Sequence, residues 1–175
     1  MDDETRPEEV FLTREERIVR AELAALASDD EGRRLLQLAL RGIQESGRGL
    51  TYGCWVKRDG GVSGCLFQHA YWQGVEEGVF RPTDEVPKNI KEFVGESDFV
   101  FVMRAIRAFD GLGKRRFLRW RRAGRLGVPL RKLDEQAWRN AVERLLIDAL
   151  AESQGVAAAL REPPRSVIEA TRLGE

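Results

Sequence analysis

Thr51-Tyr-Gly-Cys-Trp-Val-Lys-Arg-Asp-Gly-Gly-Val-Ser-Gly-Cys-Leu-Phe-Gln-His-Ala-Tyr-Trp72 is the stretch on which the fold turns. On both sides of it, apolar residues recur at helical spacing. Within it the period shortens to two: Leu50, Tyr52, Cys54 and Val56 alternate with Thr51, Gly53, Trp55 and Lys57. Such alternation marks a half-buried strand, and Asp59-Gly60 is a dipeptide that favours a two-residue reversal. With that loop, Lys57 faces Val62, Cys54 faces Cys65 and Tyr52 faces Phe67, so the apolar face stays in register. The expectation is a small β-hairpin near residues 50–67, followed by a helix from about Leu66. A competing pattern starts that helix at Ser63, with Ala70, Gly74 and Gly78 as a smooth packing stripe. A lone hairpin is barely stable in water, so it must lie on helices.

Upstream, Thr13 and Glu16 have the spacing of a capping box. Val19, Leu23, Leu26 and Ala27 then form one stripe. Asp29 or Asp30 can cap a second helix carrying Leu35, Leu36, Leu38, Ala39 and Ile43, stopped by Gly47-Arg-Gly49. The short connection suggests an antiparallel pair.

Downstream, residues 79–87 read as a loop, and Pro87 can open a short helix reaching Val94. Ser97 can cap a helix whose inner face holds Phe99, Val102, Met103, Ile106 and Phe109. Val100 and Phe101 widen it, which makes it the expected central core helix. Gly111 and Gly113 are its expected end, with a separate basic helix over 114–124. Asp134 would cap a last helix bearing Trp138, Ala141, Val142, Leu145, Ala149 and Leu150, stopped at Gly155.

These patterns predict a mainly α fold: one single-domain multi-helix bundle of six to eight helices with one small hairpin. The chain divides into an acidic tail over 1–12, a helical domain over 13–162 and a C-terminal tail over 163–175. A hydrophobic content of 42% is enough for a globular core in 175 residues. The longest apolar run, Phe99-Val-Phe-Val-Met103, is far too short to cross a bilayer. No apolar leader follows Met1, so a reducing cytoplasm is the expected compartment.

Net charge is zero but unevenly placed. Residues 1–100 hold 13 basic and 20 acidic side chains, and residues 101–175 hold 16 and 9. Either the two halves pair with each other or a basic face is offered to an anionic partner. Lys114 to Lys132 concentrates the excess, with nine cations in nineteen residues and no acid. Arg115, Arg116, Arg119, Arg121, Arg122 and Arg125 can fork onto phosphate or carboxylate, and Trp120 can stack on a base. The expected partner is nucleic acid or an acidic protein, the plainer alternative being a solvated helix with docked aromatics. A homo-oligomer is compatible with the composition.

The scarce reactive groups suggest a second class of function. Cys54 and Cys65 are the only cysteines and His69 the only histidine. With Glu76 as a further ligand they suggest a metal-, haem- or thiol-dependent enzyme or sensor, although Cys-x10-Cys-x3-His matches no established zinc spacing. The plain alternative is core packing, since free cysteine is among the most buried residues. Tyr52-Gly-Cys-Trp-Val56 resembles the nucleophile motif of transglutaminases over five residues, and Ser63-Gly-Cys65 resembles that of papain-like peptidases over three. Both families need a base histidine well downstream, and none follows His69. No catalytic role is carried over, and the sequence names no cofactor.

Overall fold

The computed structural model describes residues 12–52, 63–83, 85–124 and 131–161, with side chains described outside 116–134 and 156–161. The described residues form a mainly α fold. Six helices, α1 (Arg14–Leu26), α2 (Asp30–Glu45), α3 (Leu66–Glu76), α4 (Val86–Val94), α5 (Glu96–Gly124) and α6 (Arg131–Arg161), accompany two short strands, β1 (Gly49–Leu50) and β2 (Ser63–Gly64).

Local chemistry starts the first two helices as their sequences require. The Thr13 hydroxyl accepts the amide of Glu16 at 3.2 Å, and the Glu16 carboxylate accepts the amide of Thr13 at 2.8 Å. Asp29 caps α2 by accepting from the amides of Glu31 and Gly32. The stripes then face inward as expected. Val19, Leu23, Leu26 and Ala27 of α1 are buried, as are Leu35, Leu36, Leu38, Ala39 and Ile43 of α2. Each full burial of a leucine-sized side chain is worth about 1.5–3 kcal/mol.

The centre of the bundle is α2, which packs on α3 and also meets α6, α4 and α1. Two expectations are thereby corrected. First, α1 and α2 do not form the main pair, because α1 lies chiefly on α5 and α6. Second, α5 is flanking rather than central. It buries Val102, Ala105, Phe109 and Leu112, while Val100 stays 57% exposed and Phe99, Phe101 and Ile106 are only partly covered. An unbroken apolar run gives a helix the look of one buried all round, but Arg104, Arg107 and Asp110 still fix which side meets water.

The strand pair also differs in kind from the hairpin. β1 and β2 run parallel, with Gly49 opposite Ser63 and Leu50 opposite Gly64. The expected Tyr52–Phe67 pairing is absent, because Phe67 lies in α3 with its side chain wholly in the core. Cys65 is the N-cap of α3 rather than a strand residue. Asp59-Gly60, and with it the expected turn, lies outside the described residues. The helix start near Leu66 holds.

Three glycines expected to end helices lie inside them: Gly111 and Gly113 in α5, and Gly155 in α6. Glycine costs a helix only about 1 kcal/mol against alanine, which packing overrides. Gly113 has a packing reason, since a Cβ there would come within 2.3 Å of the Tyr52 ring. The basic stretch is thus the continuation of α5 rather than a separate helix. Likewise Ser97 and Asp134 sit within α5 and α6 rather than capping them.

Candidate functional site

Among the described residues, a polar arrangement gathers where α2 ends. The last four carbonyls of a helix lack intrahelical partners. Here the chain turns at Gly47 (φ 64°) and enters β1, and the carbonyls of Gly42 and Ile43 face other parts of the protein. Two side chains distant in sequence meet them.

The first is His69, in the first turn of α3 and fully buried. Its Nδ1 lies 3.1 Å from the carbonyl oxygen of Gly42, and its Nε2 lies 3.1 Å from that of Gly49. The Ser46 hydroxyl is also 3.4 Å from Nδ1 and accepts the amide of Arg48 at 3.3 Å. The ring meets Trp72 edge-on at 5.3 Å between centroids. Gly42 makes this approach possible, because a Cβ there would lie 2.4 Å from the backbone oxygen of His69.

The second is Arg139 of α6. Its guanidinium donates to the carbonyls of Ile43 and Arg48, bridging the last turn of α2 to the residue before β1. A cation at a helix C-terminus complements the macrodipole. Arg48 in turn lies over the Trp72 ring at 4.5 Å and 3.8 Å from the Glu76 carboxylate. Beside this knot are two surface depressions. Gln44, Glu135, Gln136, Arg139 and Glu143 line one; Arg48, Trp72, Val75, Glu76 and Pro82 line the other.

The electrostatics follow from this geometry. Burial holds the His69 imidazole below its ordinary value of 6.5, and the nearby positive charges of Arg139 and Arg48 push the same way. Its contacts with the carbonyls of Gly49 and Gly42 oppose them without prevailing.

The expected metal or redox residues are described in part. Both ring nitrogens face backbone oxygens. Cys65 is buried. Glu76 is exposed at the end of α3, near Arg48. Cys54 lies outside the described residues, and no group of three or more His, Cys, Asp or Glu among the described residues is placed to hold a metal ion.

In the expected basic surface, Arg115 is 65% exposed along its side chain and ion-paired with Glu15. Arg116, Arg119, Trp120, Arg121 and Arg122 stand on α5 without described side chains, and Arg125 lies outside the described residues. Part of the charge asymmetry is satisfied within the chain. Glu22 pairs with Arg104 at 2.9 Å, and Glu16 lies 3.6 Å from Arg144. Acids of α1 therefore meet arginines of α5 and α6.

Gly42, Ser46, Arg48 and Arg139 belong to the site although no sequence motif marks them. The one signal in the sequence is Gly42 itself, a side-chain-free position beside the buried Ala39 and Ile43. No protein-family model, curated protein or solved structure matches this chain. Among the described residues, no helix is long and apolar enough to cross a membrane.

Proposed function

We propose that the protein is a binding or regulatory module that engages an anionic partner, nucleic acid or an acidic protein, through the arginine-rich segment 114–132. The observation that carries this reading is the continuity of α5, an unbroken helix from Glu96 to Gly124. Its first half is anchored by the buried Val102, Ala105, Phe109 and Leu112. Arg116, Arg119, Arg121 and Arg122 therefore stand on a backbone already ordered by the core, which lowers the entropic cost of presenting them.

The position of α1 supports the same reading. Glu22 meets Arg104 and Glu15 meets Arg115, so α1 runs antiparallel to α5. It begins at Arg14, beside the point where the basic segment starts. Positions 117–124 of α5 continue past that first turn. Arg115 is already answered by Glu15 and carries only part of the proposed contact.

The test is binding to duplex DNA and to polyglutamate across a salt series. Affinity for at least one should fall steeply with salt, because each neutralised phosphate adds about −0.9 to the slope of log K against log salt. Charge reversal at Arg119 and Arg122 together should lower affinity at least about tenfold and flatten that slope. Salt-insensitive binding, or binding unchanged by the double reversal, excludes the segment as the contact surface.

A further inference from the structure

The geometry points to His69 as a proton-operated switch, in which uptake of one proton at Nδ1 exchanges its partner from the Ser46 hydroxyl to the Gly42 carbonyl.

A neutral imidazole has one N–H and one lone pair. At His69 the arrangement that gives both ring nitrogens a hydrogen-bond partner places the hydrogen on Nε2, donating to the Gly49 carbonyl at 3.1 Å. Nδ1 then accepts from the Ser46 hydroxyl at 3.4 Å. That hydroxyl simultaneously accepts the amide of Arg48. The neutral ring thus connects α3, the end of α2 and the turn into β1 through one hydroxyl.

The charged ring has a different partner waiting. Once Nδ1 carries a proton it donates to the Gly42 carbonyl, already at 3.1 Å. That oxygen also accepts the amide of Ser46 at 3.3 Å, and a carbonyl has two lone pairs for two donors. The Ser46 hydroxyl can no longer donate to the ring, so its hydrogen rotates to another acceptor while its oxygen still accepts the amide of Arg48. Both nitrogens are therefore satisfied in both states, and only the serine contact is lost. The proton comes from solvent, and the Nε2–H bond is untouched.

The surrounding charges decide how readily the charged state forms. Arg48 in the turn and Arg139 from α6 both oppose it. α2 presents the Gly42 carbonyl and Ser46 hydroxyl, and β1 presents the Gly49 carbonyl. On α3, Glu76 is near Arg48; on α6, Glu135 and Glu143 line the depression beside Arg139. The Ser46 hydroxyl places this exchange beside Arg48, whose amide it accepts and whose guanidinium lies over the Trp72 ring. The switch does not depend on the proposed anionic partner.

Because His69 is the only histidine, its ring signals in a nitrogen–proton NMR spectrum need no assignment. Near neutral pH they should report the Nε2–H tautomer, and titration should have a midpoint below 6.5 with the Gly42 carbonyl carbon shifting in step. Ser46→Ala removes the donor that favours the neutral ring. It should raise the midpoint by roughly half to one pH unit, the equivalent of one hydrogen bond. An Nδ1–H tautomer, a midpoint at or above 6.5 in the unmodified protein, or a midpoint unmoved or lowered in Ser46→Ala would overturn the proposal. The tautomer measurement needs no variant, so it stands even if Ser46→Ala folds poorly.

Discussion

The start of α1 and the end of α2 solve the same problem, unpaired backbone groups at a helix terminus, with opposite means. At α1 the partners are Thr13 and Glu16, three residues apart, each serving the other's amide. At α2 the Ile43 carbonyl is met by Arg139, 96 residues away, and His69, 27 residues from Gly42, packs its ring against the same last turn. The first is local and stays formed wherever the helix forms. The second exists only once α3 and α6 have docked, so it reports on the whole fold. Damage at α2 should accordingly cost more than damage at α1.

The sharpest way to break the distal arrangement is Gly42→Ala. Its Cβ would lie 2.4 Å from the His69 backbone oxygen, so α2 and α3 must separate. Despite alanine's better helix propensity, a loss of about 3 kcal/mol in urea unfolding is expected, at the upper end for overpacking. Arg139→Met comes next. It keeps the apolar stem but strands the carbonyls of Ile43 and Arg48. The expected loss is about 2 kcal/mol, measured the same way. Thr13→Ala removes only the local cap and should cost about 1 kcal/mol. If Thr13→Ala proved more damaging than Arg139→Met, the contrast between the two termini would be wrong. The smallest effect is expected for Glu22→Gln. Its partner Arg104 is 54% exposed, and such pairs contribute about 0.2–1 kcal/mol.

The same contrast explains what is legible in the sequence. The capping box at Thr13, the cap at Asp29 and the buried stripes of α1, α2 and α6 follow from residues a few positions apart, and all are present. The features that mislead depend on distant partners. Gly113 resembles a helix stop until Tyr52 is seen filling the space beside it. The alternation after Leu50 suggests a reversal, yet β1 and β2 pair in parallel across residues 53–62. For the candidate site, His69 is legible as unusual, but its use is not. Its hydrogen-bond neighbours include two backbone carbonyls, and every residue type has one. Arg139 reads only as part of a helix, since its partners lie on α2 and the following turn.

The most direct test of the tie at the end of α2 is unfolding free energy between about pH 5.5 and pH 7, the window in which histidine titrates most and carboxylates least. Burial beside Arg139 and Arg48 lowers the folded-state value of His69, so below 6.5 the unfolded chain binds more protons. Stability should therefore be level above that pH and decline below it. In His69→Gln, which leaves no histidine in the chain, that decline should vanish. A wild-type profile that stays flat or rises as pH falls below 6.5, or an equal decline in the variant, would contradict a buried, uncharged His69 holding α2 to α3.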